Sequence, residues 1–338
     1  MQNFIEEVNR DNQQMSDISI VAGGAGFIAA SLIKNLNKEN RKILIVDNLT
    51  RGKLSYIEEY LYSEKIYFYN ADLSERDKCI AVFEYAIKIG HIDEVWHLAA
   101  NSDIPAGVAD ADVDLKDTFF TTVELLRAMK MYNVHKLYFA SSSAVYGDHG
   151  DIELHENIGP LLPISNYGAM KLASEALISA AVESYLHSAC IYRFPNVVGV
   201  PATHGVILDF INKLKSNPDI LEVLGDGTQQ KSYLHVSDLV DAMLTVRHIL
   251  KDSHTVEIVN IGPTDNGVTV KWIAEQVVAR VSPKASIMYG TGNKGWIGDV
   301  PKFNYSTARL QSYGWRPTLG SDAAVMRAID EISIQQGF

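Results

Sequence analysis

A tyrosine and a lysine stand four residues apart in the segment SNYGAMKLASE, residues 165–175. In a helix this spacing places Tyr167 and Lys171 about one turn apart on the same face. A free phenol has a pKa of about 10, which is too high for a base at neutral pH, but a nearby ammonium lowers the pKa by stabilising the phenolate. The spacing therefore predicts a general base. A packed tyrosine ring beside a solvated lysine would show the same spacing.

A run of hydroxyl side chains, FASSSAVYG, ends a β-type segment at residues 139–147. Ligands of parallel α/β sheets bind at the carboxyl ends of the strands. Ser142 is therefore expected to hydrogen-bond a substrate hydroxyl whose proton Tyr167 removes. An ordinary polar loop would also contain such serines.

The elements that would position these residues alternate between two patterns. Segments with 3.6-residue periodicity separate short apolar runs: ISIVAG, KILIVD, IYFYN, EVWHLAA, KLYFASSS and SACIYRF. This alternation predicts an α/β fold with a doubly wound parallel sheet of the Rossmann type over residues 17–193. The continuous apolar character of the runs indicates that helices cover both faces of the sheet.

After Arg193 the elements become shorter and glycine-rich loops interrupt them. We expect residues 194–338 to form a smaller, interleaved substrate domain, from which the segment VEIVNIG returns to the main sheet. Loops of this kind often carry ligand contacts. Residues 1–16 are expected to be a polar N-terminal tail.

A glycine turn joins the first strand to the first helix in ISIVAGGAGFIAASLI. Gly23 and Gly26 would let backbone N–H groups approach a pyrophosphate at the helix N-terminus. The next strand ends at Asp47, 21 residues after Gly26, which is close to the roughly 20-residue offset of the acidic residue that binds the adenosine ribose. A carboxylate there favours NAD over NADP, although the nearby Arg51 could hold a 2′-phosphate.

The segment NADLSE follows the third strand. Its Asp72 is placed to accept a hydrogen bond from the adenine amino group. It could equally belong to a helix N-terminal region that Ser74 caps.

Composition excludes several classes of function. The 338 residues carry a net charge of −11 without a basic cluster, so neither nucleic acid nor an anionic membrane is an expected partner. Cys79 and Cys190 have neither zinc nor disulfide spacing, so we expect no metal and a reducing, cytoplasmic location. The polar N-terminus does not resemble a signal peptide, and glycines interrupt the most apolar run, which is too short to span a membrane.

Nine short signatures occur in order between residues 17 and 320: GGAGFIA, VDNLTRG, ADL, HLAA, SSSAVYG, YGAMK, RFPNVVG, GDGTQQKSYLHVSDL and GWIGDVP. Together they resemble the extended short-chain dehydrogenase/reductase family, most closely its UDP-galactose 4-epimerase branch. The resemblance implies an NAD-dependent enzyme that oxidises and re-reduces C4 of a nucleotide-diphosphate sugar, here UDP-glucose or UDP-galactose. It also implies a homodimer formed by the helix of Tyr167 and the preceding helix, TFFTTVELLRAMKMY.

The resemblance assigns roles to individual residues. Tyr167 becomes the acid/base, Lys171 its partner and a ligand of the nicotinamide ribose, and Ser142 the catalytic hydroxyl. Asn196 is implied to contact the diphosphate of the substrate. Further positions that line the cofactor site are implied at Phe27, Ile28, Asn48, Leu73, Leu98, Ala99 and Ala100.

Other substrate positions depart from the family pattern or bear on the sugar. Lys231 and Lys294 stand where relatives tend to have arginine, so two bidentate phosphate contacts become point-charge contacts. Ser143 follows the catalytic hydroxyl. Phe303, four residues after Asp299, is bulky and favours glucose or galactose over an N-acetylhexosamine, although a core aromatic residue fits this position equally well.

Four alternatives stay open from the sequence. A one-way C4 dehydrogenase or 4-ketosugar reductase would use the same Ser142, Tyr167 and Lys171. A 4,6-dehydratase needs an acid pair after the catalytic hydroxyl, and a decarboxylase usually has a glutamate at position 144, so Ser143 and Ala144 disfavour both. A non-catalytic NAD-binding protein would not need all three catalytic groups.

Overall fold

The computed structural model of the protein describes residues 16–150, 152–250, 255–292 and 304–338. In chain order the strands are β1 (Asp17–Ala22), β2 (Lys42–Asp47), β3 (Ile66–Asn70), β4 (His91–His97), β5 (Lys136–Ala140), β6 (Glu153–Leu154), β7 (Ser188–Arg193), β8 (Asn196–Val198), β9 (Ile220–Val223), β10 (Gln230–Lys231), β11 (Tyr233–His235), β12 (Thr255–Asn260), β13 (Val268–Thr269), β14 (Ser286–Tyr289) and β15 (Asn304–Tyr305).

The α-helices are α1 (Phe27–Leu36), α2 (Arg76–Ile89), α3 (Ile104–Ala109), α4 (Ala111–Asp114), α5 (Thr121–Met131), α6 (Asn166–Val182), α7 (Val206–Ser216), α8 (Val236–Ile249), α9 (Val270–Val281), α10 (Ala308–Ser312) and α11 (Ser321–Gln336). A π-helical turn, Leu115–Phe120, joins α4 to α5. Short 3₁₀-helices occur at Leu54–Tyr56, Glu58–Tyr60 and Ser143–Val145.

Seven strands form one sheet in the order β12-β7-β5-β4-β1-β2-β3. Each neighbouring pair is parallel. The sequence order turns around between β1 and β4, and in sheets of this kind ligands bind at such a point, outside the carboxyl ends of the strands. The predicted doubly wound parallel sheet is confirmed.

Helices cover both faces of the sheet, and successive residues of a strand point to opposite faces. On one face, Val21 and Trp96 pack in a cluster that includes α1 and α8. On the other face, Ile20 and Val95 pack with α2 and α5. Burying an aliphatic side chain of this size contributes about 1.5–3 kcal/mol, so the continuously apolar strands account for much of the stability of the sheet.

The second half of the chain has a core of its own and also contributes to the main sheet. Ile211, Leu221, Val277 and Val325 belong to a cluster built by α7, β9, α9 and α11. Strand β12, which contains most of the segment VEIVNIG, pairs with β7 at the edge of the main sheet. The division into residues 17–193 and 194–338 stays a prediction.

Two further features concern the parts of the chain that the structure covers. No helix there is both long and apolar enough to cross a bilayer. Of the predicted N-terminal tail, residues 1–15 lie outside the described residues.

Candidate active site

A cleft opens at the carboxyl ends of β1, β2 and β4, where the strand order turns around. Its lining includes all the residues that the sequence analysis assigned to the cofactor: Gly23, Gly26, Phe27, Ile28, Asp47, Asn48, Asp72, Leu73, Leu98, Ala99, Ala100, Tyr167 and Lys171. Segments far apart in the sequence therefore meet at one surface.

The glycine turn has a steric cause. Gly23 adopts a φ of 74°, and a Cβ atom built on it would lie 2.6 Å from the backbone nitrogen of Ala99. Only glycine fits both the conformation and the close approach of the loop after β4. Gly26 stands at the N-cap of α1 in extended conformation, so the positive end of α1 faces the cleft.

Asp47 fixes this turn to the end of β2. Its Oδ2 atom accepts a hydrogen bond from the backbone N–H of Ala25 at 3.0 Å, and its Oδ1 atom accepts one from Leu49 at 2.8 Å. Burial raises the pKa of Asp47, although the two backbone hydrogen bonds lower it. This anchoring role was not predicted, because it depends on where the turn meets the next strand.

Asp72 is held by two neighbours. Its Oδ1 atom accepts hydrogen bonds from the Ser74 backbone at 3.0 Å and the Ser74 hydroxyl at 2.7 Å, and its Oδ2 atom lies 2.9 Å from Lys116 Nζ. Burial raises the pKa of Asp72, but these partners outweigh it and the pKa is lowered. The alternative that Ser74 caps the following helix is wrong, because Glu75 is the N-cap of α2.

Tyr167 and Lys171 lie on the first turns of α6. The helix starts at Asn166 because the Ser165 hydroxyl caps it by accepting the Gly168 backbone N–H at 3.1 Å. Lys171 is 2% exposed, and its Nζ atom donates a hydrogen bond to the carbonyl oxygen of Ala140 at 2.6 Å. The same Nζ atom lies 5.8 Å from the centroid of the Tyr167 ring.

Burial determines the pKa of both groups in the protein without ligands. It raises the pKa of Tyr167 to about 12, with Ser142 acting to lower it and Asp114 to raise it. It lowers the pKa of Lys171 to about 7, against the effects of Glu175 and Asp114. The expectation that the ammonium gives Tyr167 a lowered pKa is therefore not met by the protein alone, because loss of water disfavours both charged forms.

Ser142 lies against Tyr167. It caps the 3₁₀-helix Ser143–Val145 by accepting the backbone N–H of Ala144 at 3.2 Å, and its side chain acts to lower the pKa of Tyr167. Ser143 is buried, and its N–H donates to Phe194 at 3.1 Å. The structure thus brings Ser142, Tyr167 and Lys171 together, as the sequence predicted.

A buried ion pair joins α6 to the main sheet beneath these groups. Arg193 donates to the two carboxylate oxygens of Glu175 at 3.0 and 2.6 Å, and Ser141 Oγ donates to the same carboxylate. Arg193 Nη1 also donates to the Tyr146 hydroxyl at 3.1 Å, which in turn donates to Asn260 at 2.7 Å. The loop that holds Ser142 is therefore tied to α6, β7 and β12.

Two of the residues proposed for substrate, Asn196 and Lys231, lie away from the cofactor cleft. Asn196 is exposed at the start of β8, beside Tyr233 of β11, and Lys231 pairs with Val268 in β10. Among the described residues that line the cofactor cleft, neither is present. Lys294, Asp299 and Phe303 lie outside the described residues.

The cleft also contains Arg51, which the sequence analysis considered for a 2′-phosphate, and two residues that it did not assign to the cofactor, Thr203 and His204. Arg51 Nη2 forms an ion pair with Asp103 Oδ2 at 3.2 Å, so the arginine that could hold a 2′-phosphate already faces a carboxylate. Thr203 and His204, from the loop after β8, line the same cleft. The glycine-rich segment GVPATHG was the signal for this loop, but its side chains could not be placed from sequence.

The sequence pattern that defines the NAD dependent epimerase/dehydratase family matches residues 19–262. The chain belongs to this family. A putative UDP-glucose 4-epimerase of Methanocaldococcus jannaschii is 28% identical to it over 92% of this chain and 97% of that protein. A dTDP-D-glucose 4,6-dehydratase of Mus musculus is 26% identical over 92% of this chain and 87% of that protein. The relatives of this chain therefore include a protein named as an epimerase and one named as a dehydratase.

Solved structures of the epimerase/dehydratase family superpose closely on this chain. A crystal structure of a UDP-galactose 4-epimerase has a TM-score of 0.82 and 30% identity and covers 94% of this chain and 99% of that one. A Thermus thermophilus UDP-glucose 4-epimerase in complex with NAD has a TM-score of 0.78 and 27% identity over 93% and 98%. The protein is an NAD-dependent enzyme of the extended short-chain dehydrogenase/reductase family.

The residues present in the cleft fit NAD. A Cβ atom at Gly23 would fill the space beside the loop after β4, the N-terminus of α1 offers unpaired backbone donors, and Asp47 lines the cleft at the end of β2. A carboxylate at this place suits a ribose hydroxyl and repels a 2′-phosphate.

Proposed function

We propose that the protein is a 4-epimerase of a nucleotide-diphosphate sugar, with UDP-glucose and UDP-galactose as its substrates. The observation that carries the proposal is the position of Tyr167 and Lys171, one turn apart on α6, on the wall of the NAD cleft. Ser142 is near enough to act on the pKa of Tyr167. Relatives and solved structures that carry the names UDP-glucose and UDP-galactose 4-epimerase support the substrate.

The proton steps follow from the placement of the hydroxyl groups. Ser142 holds the 4-hydroxyl of the sugar by a hydrogen bond, and Tyr167 Oη accepts its proton. NAD, when bound, would supply the acceptor and donor of the C4 hydride, and its positive ring charge would favour the phenolate. The keto sugar turns about its diphosphate link and presents its other face. Tyr167 then gives the proton back to the C4 oxygen, which leaves the configuration inverted.

Lys171 supports the phenolate by its charge. Its ammonium lies 5.8 Å from the ring centroid of Tyr167 and is held by Ala140. Burial lowers the pKa of Lys171 to about 7 and raises the pKa of Tyr167 to about 12, so the lysine is the first of the two to lose its proton as the pH rises. We propose that Lys171 also binds the nicotinamide ribose.

The remaining substrate contacts are proposals from the family pattern. Asn196 and Lys231 would bind the diphosphate, and Ser143 would contact the sugar. Lys294, Asp299 and Phe303, outside the described residues, would complete the sugar pocket and favour glucose or galactose. Lysine in place of arginine gives a weaker grip on phosphate, because it lacks the planar fork of donors.

Two other activities share the first oxidation. The mouse relative named a 4,6-dehydratase makes dehydration the second candidate, but Ser143 and Ala144 offer no acid to protonate a leaving hydroxyl. A one-way C4 dehydrogenase or 4-ketosugar reductase would use the same three groups. The products of the reaction distinguish all three activities.

The proposal is tested by incubating the NAD-loaded enzyme with UDP-glucose and, separately, UDP-galactose. We expect each to yield its C4 epimer without net NADH. Tyr167→Phe should lower the rate by about 10²–10⁴-fold and leave NAD bound, whereas Tyr62→Phe, at a side chain 82% exposed, should have no effect. Net NADH, a 4-keto-6-deoxy sugar, or full activity in Tyr167→Phe would refute the proposal.

We also propose that the enzyme works in the cytoplasm as a homodimer. Both cysteines, Cys79 and Cys190, are free and buried, which suits a reducing compartment. The helices that would form the dimer expose large apolar side chains, among them Met131 and Leu177.

A further inference from the structure

Asp114, the last residue of α4, is a buried carboxylate with an unpaired oxygen. Its side chain is 0% exposed. Oδ1 accepts hydrogen bonds from Asn101 Nδ2 at 3.0 Å and from Thr118 Oγ1 at 3.4 Å. Oδ2 has no hydrogen-bond partner among the described residues. Burying such an atom without a donor is costly, so its presence calls for a reason.

The fold makes room for this oxygen by a glycine. A Cβ atom at Gly107 of α3 would lie 1.8 Å from Asp114 Oδ2, so any other residue there would displace the carboxylate. The carbonyl oxygen of Gly107 in turn accepts a hydrogen bond from Asn166 Nδ2 at 2.8 Å. Asn166 is the first residue of α6 and precedes Tyr167. The carboxylate therefore lies next to the helix end that carries the proposed base.

The charged groups that face Asp114 are few in the described structure. Lys171 and Tyr167 face it from α6, and Asp117 faces it from the π-helical turn. Its neighbours Asn101 and Gly107, from the loop after β4 and from α3, carry no charge.

Two further ionisable groups, Glu175 and His97, lie near Lys171. Glu175 of α6 acts on Lys171 in the same direction as Asp114. His97 of β4 also faces Lys171, and burial holds the pKa of His97 well below its usual value, so it is neutral. Burial raises the pKa of Asp114, while Asn101, Thr118 and Lys171 act to lower it. Its anionic form acts on both members of the proposed acid–base pair.

We propose that Asp114 is a positioning residue that sets the pH range of the reaction through its buried charge beside Tyr167 and Lys171. This inference rests on the proposed function. A fixed negative charge disfavours the phenolate and favours the ammonium, so it moves both proton losses of the pair toward higher pH. Without Asp114 both losses would occur at lower pH, and the whole bell-shaped profile would move toward acid.

The first test measures kcat/KM for C4 epimerisation against pH in the NAD-loaded enzyme. In Asp114→Asn, which keeps the shape of the side chain and removes its charge, both limbs of the profile should move about one pH unit toward acid. Asp112→Asn, an exposed position on the same helix, should leave both limbs in place. If Asp114 only supports Asn101 and the cofactor loop, kcat or NAD affinity falls while both limbs stay, and the inference is wrong.

A second test does not depend on the substrate. Ultraviolet absorbance reports phenolate formation in the NAD-loaded protein, and subtracting the titration of the matching Tyr167→Phe variant isolates Tyr167. Tyr167 should ionise at lower pH in Asp114→Asn than in the unmodified protein, even if the true substrate differs from the one proposed. An unchanged midpoint overturns the inference. If Asp114→Asn does not fold, Asp114→Leu, which is neutral and apolar, is titrated in its place with the same expectation.

Discussion

At the scale of single residues, burial controls the chemistry of the proposed base. Lys171 is almost wholly enclosed, and its ammonium is held by a backbone carbonyl rather than by a carboxylate in contact. The resulting low pKa, about 7, makes the lysine a partner that exchanges protons near neutral pH. The same burial carries a stability cost while the lysine is charged.

This cost gives a prediction for Lys171→Met. The pKa of Lys171 is about 7 in the folded protein and about 10.4 in the unfolded chain. Between these values Lys171 carries a proton in the unfolded chain but not in the folded protein. The free energy of unfolding therefore rises with pH from about 7 to 10, as the cost of burying the charged lysine disappears. Relative to Lys171→Met, the unmodified protein should therefore gain free energy of unfolding over this range, as denaturant unfolding at several pH values would show.

Lys34→Met, at an exposed position, provides the control. The difference in free energy of unfolding between this variant and the unmodified protein should not change with pH. A flat difference for Lys171→Met as well would contradict the low pKa. Epimerase activity of Lys171→Met should be lost at every pH, since methionine carries no charge to support the phenolate.

At the scale of the elements, the position of the site depends on the ion pair between Glu175 of α6 and Arg193 of β7. Both side chains are buried, at 4% and 2% exposure. Since Ser141 also donates to Glu175, the pair fixes the distance between the helix of Tyr167 and the loop of Ser142. Removing one partner of such a pair is costly, because the other partner is then a buried charge without a counter-charge.

Glu175→Gln should therefore destabilise the protein by about 3–5 kcal/mol, because Arg193 would stay buried without a counter-charge. Denaturant unfolding measures the change. The exposed Glu183→Gln at the end of the same helix should change stability by less than about 0.5 kcal/mol. A similarly small loss in Glu175→Gln would show that water or another group compensates Arg193.

At the scale of the whole molecule, the two halves of the chain share one site, since Thr203 and His204 reach the cofactor cleft. The outer surface of α6, of α5 and of the π-helical turn that precedes α5 exposes large apolar side chains: Phe120, Met131 and Leu177, at 42%, 46% and 37%. Exposed apolar side chains on neighbouring helices are typical of an interface. We propose that two copies pack there through four helices.

Leu177→Glu should then convert the dimer to a monomer, because a carboxylate would be buried against the partner copy. Light scattering with size-exclusion chromatography measures the mass. Ile249→Glu, at a side chain 46% exposed on α8, should leave the dimer intact. A monomeric unmodified protein, or a dimer that tolerates Leu177→Glu, would contradict the proposed interface.

Short-range patterns in the sequence were enough to predict the local features of the fold and of the cofactor site. Parallel strands, the glycine turn and the spacing of Tyr167 and Lys171 follow from short-range periodicity and backbone conformation, which neighbouring residues control. Asp47 and Asp72 were located in the cofactor cleft for the same reason, since each ends or follows a strand of the sheet.

Contacts between segments that are distant in the sequence could be found only in the tertiary structure. It placed Asp114 beside α6, paired Arg51 with Asp103, and carried Thr203 and His204 to the cleft. It also reversed the expected pKa of Tyr167, because desolvation is a property of the packed interior and leaves no trace in residue spacing. Charge, burial and partner geometry act through space, so only the folded chain could reveal them.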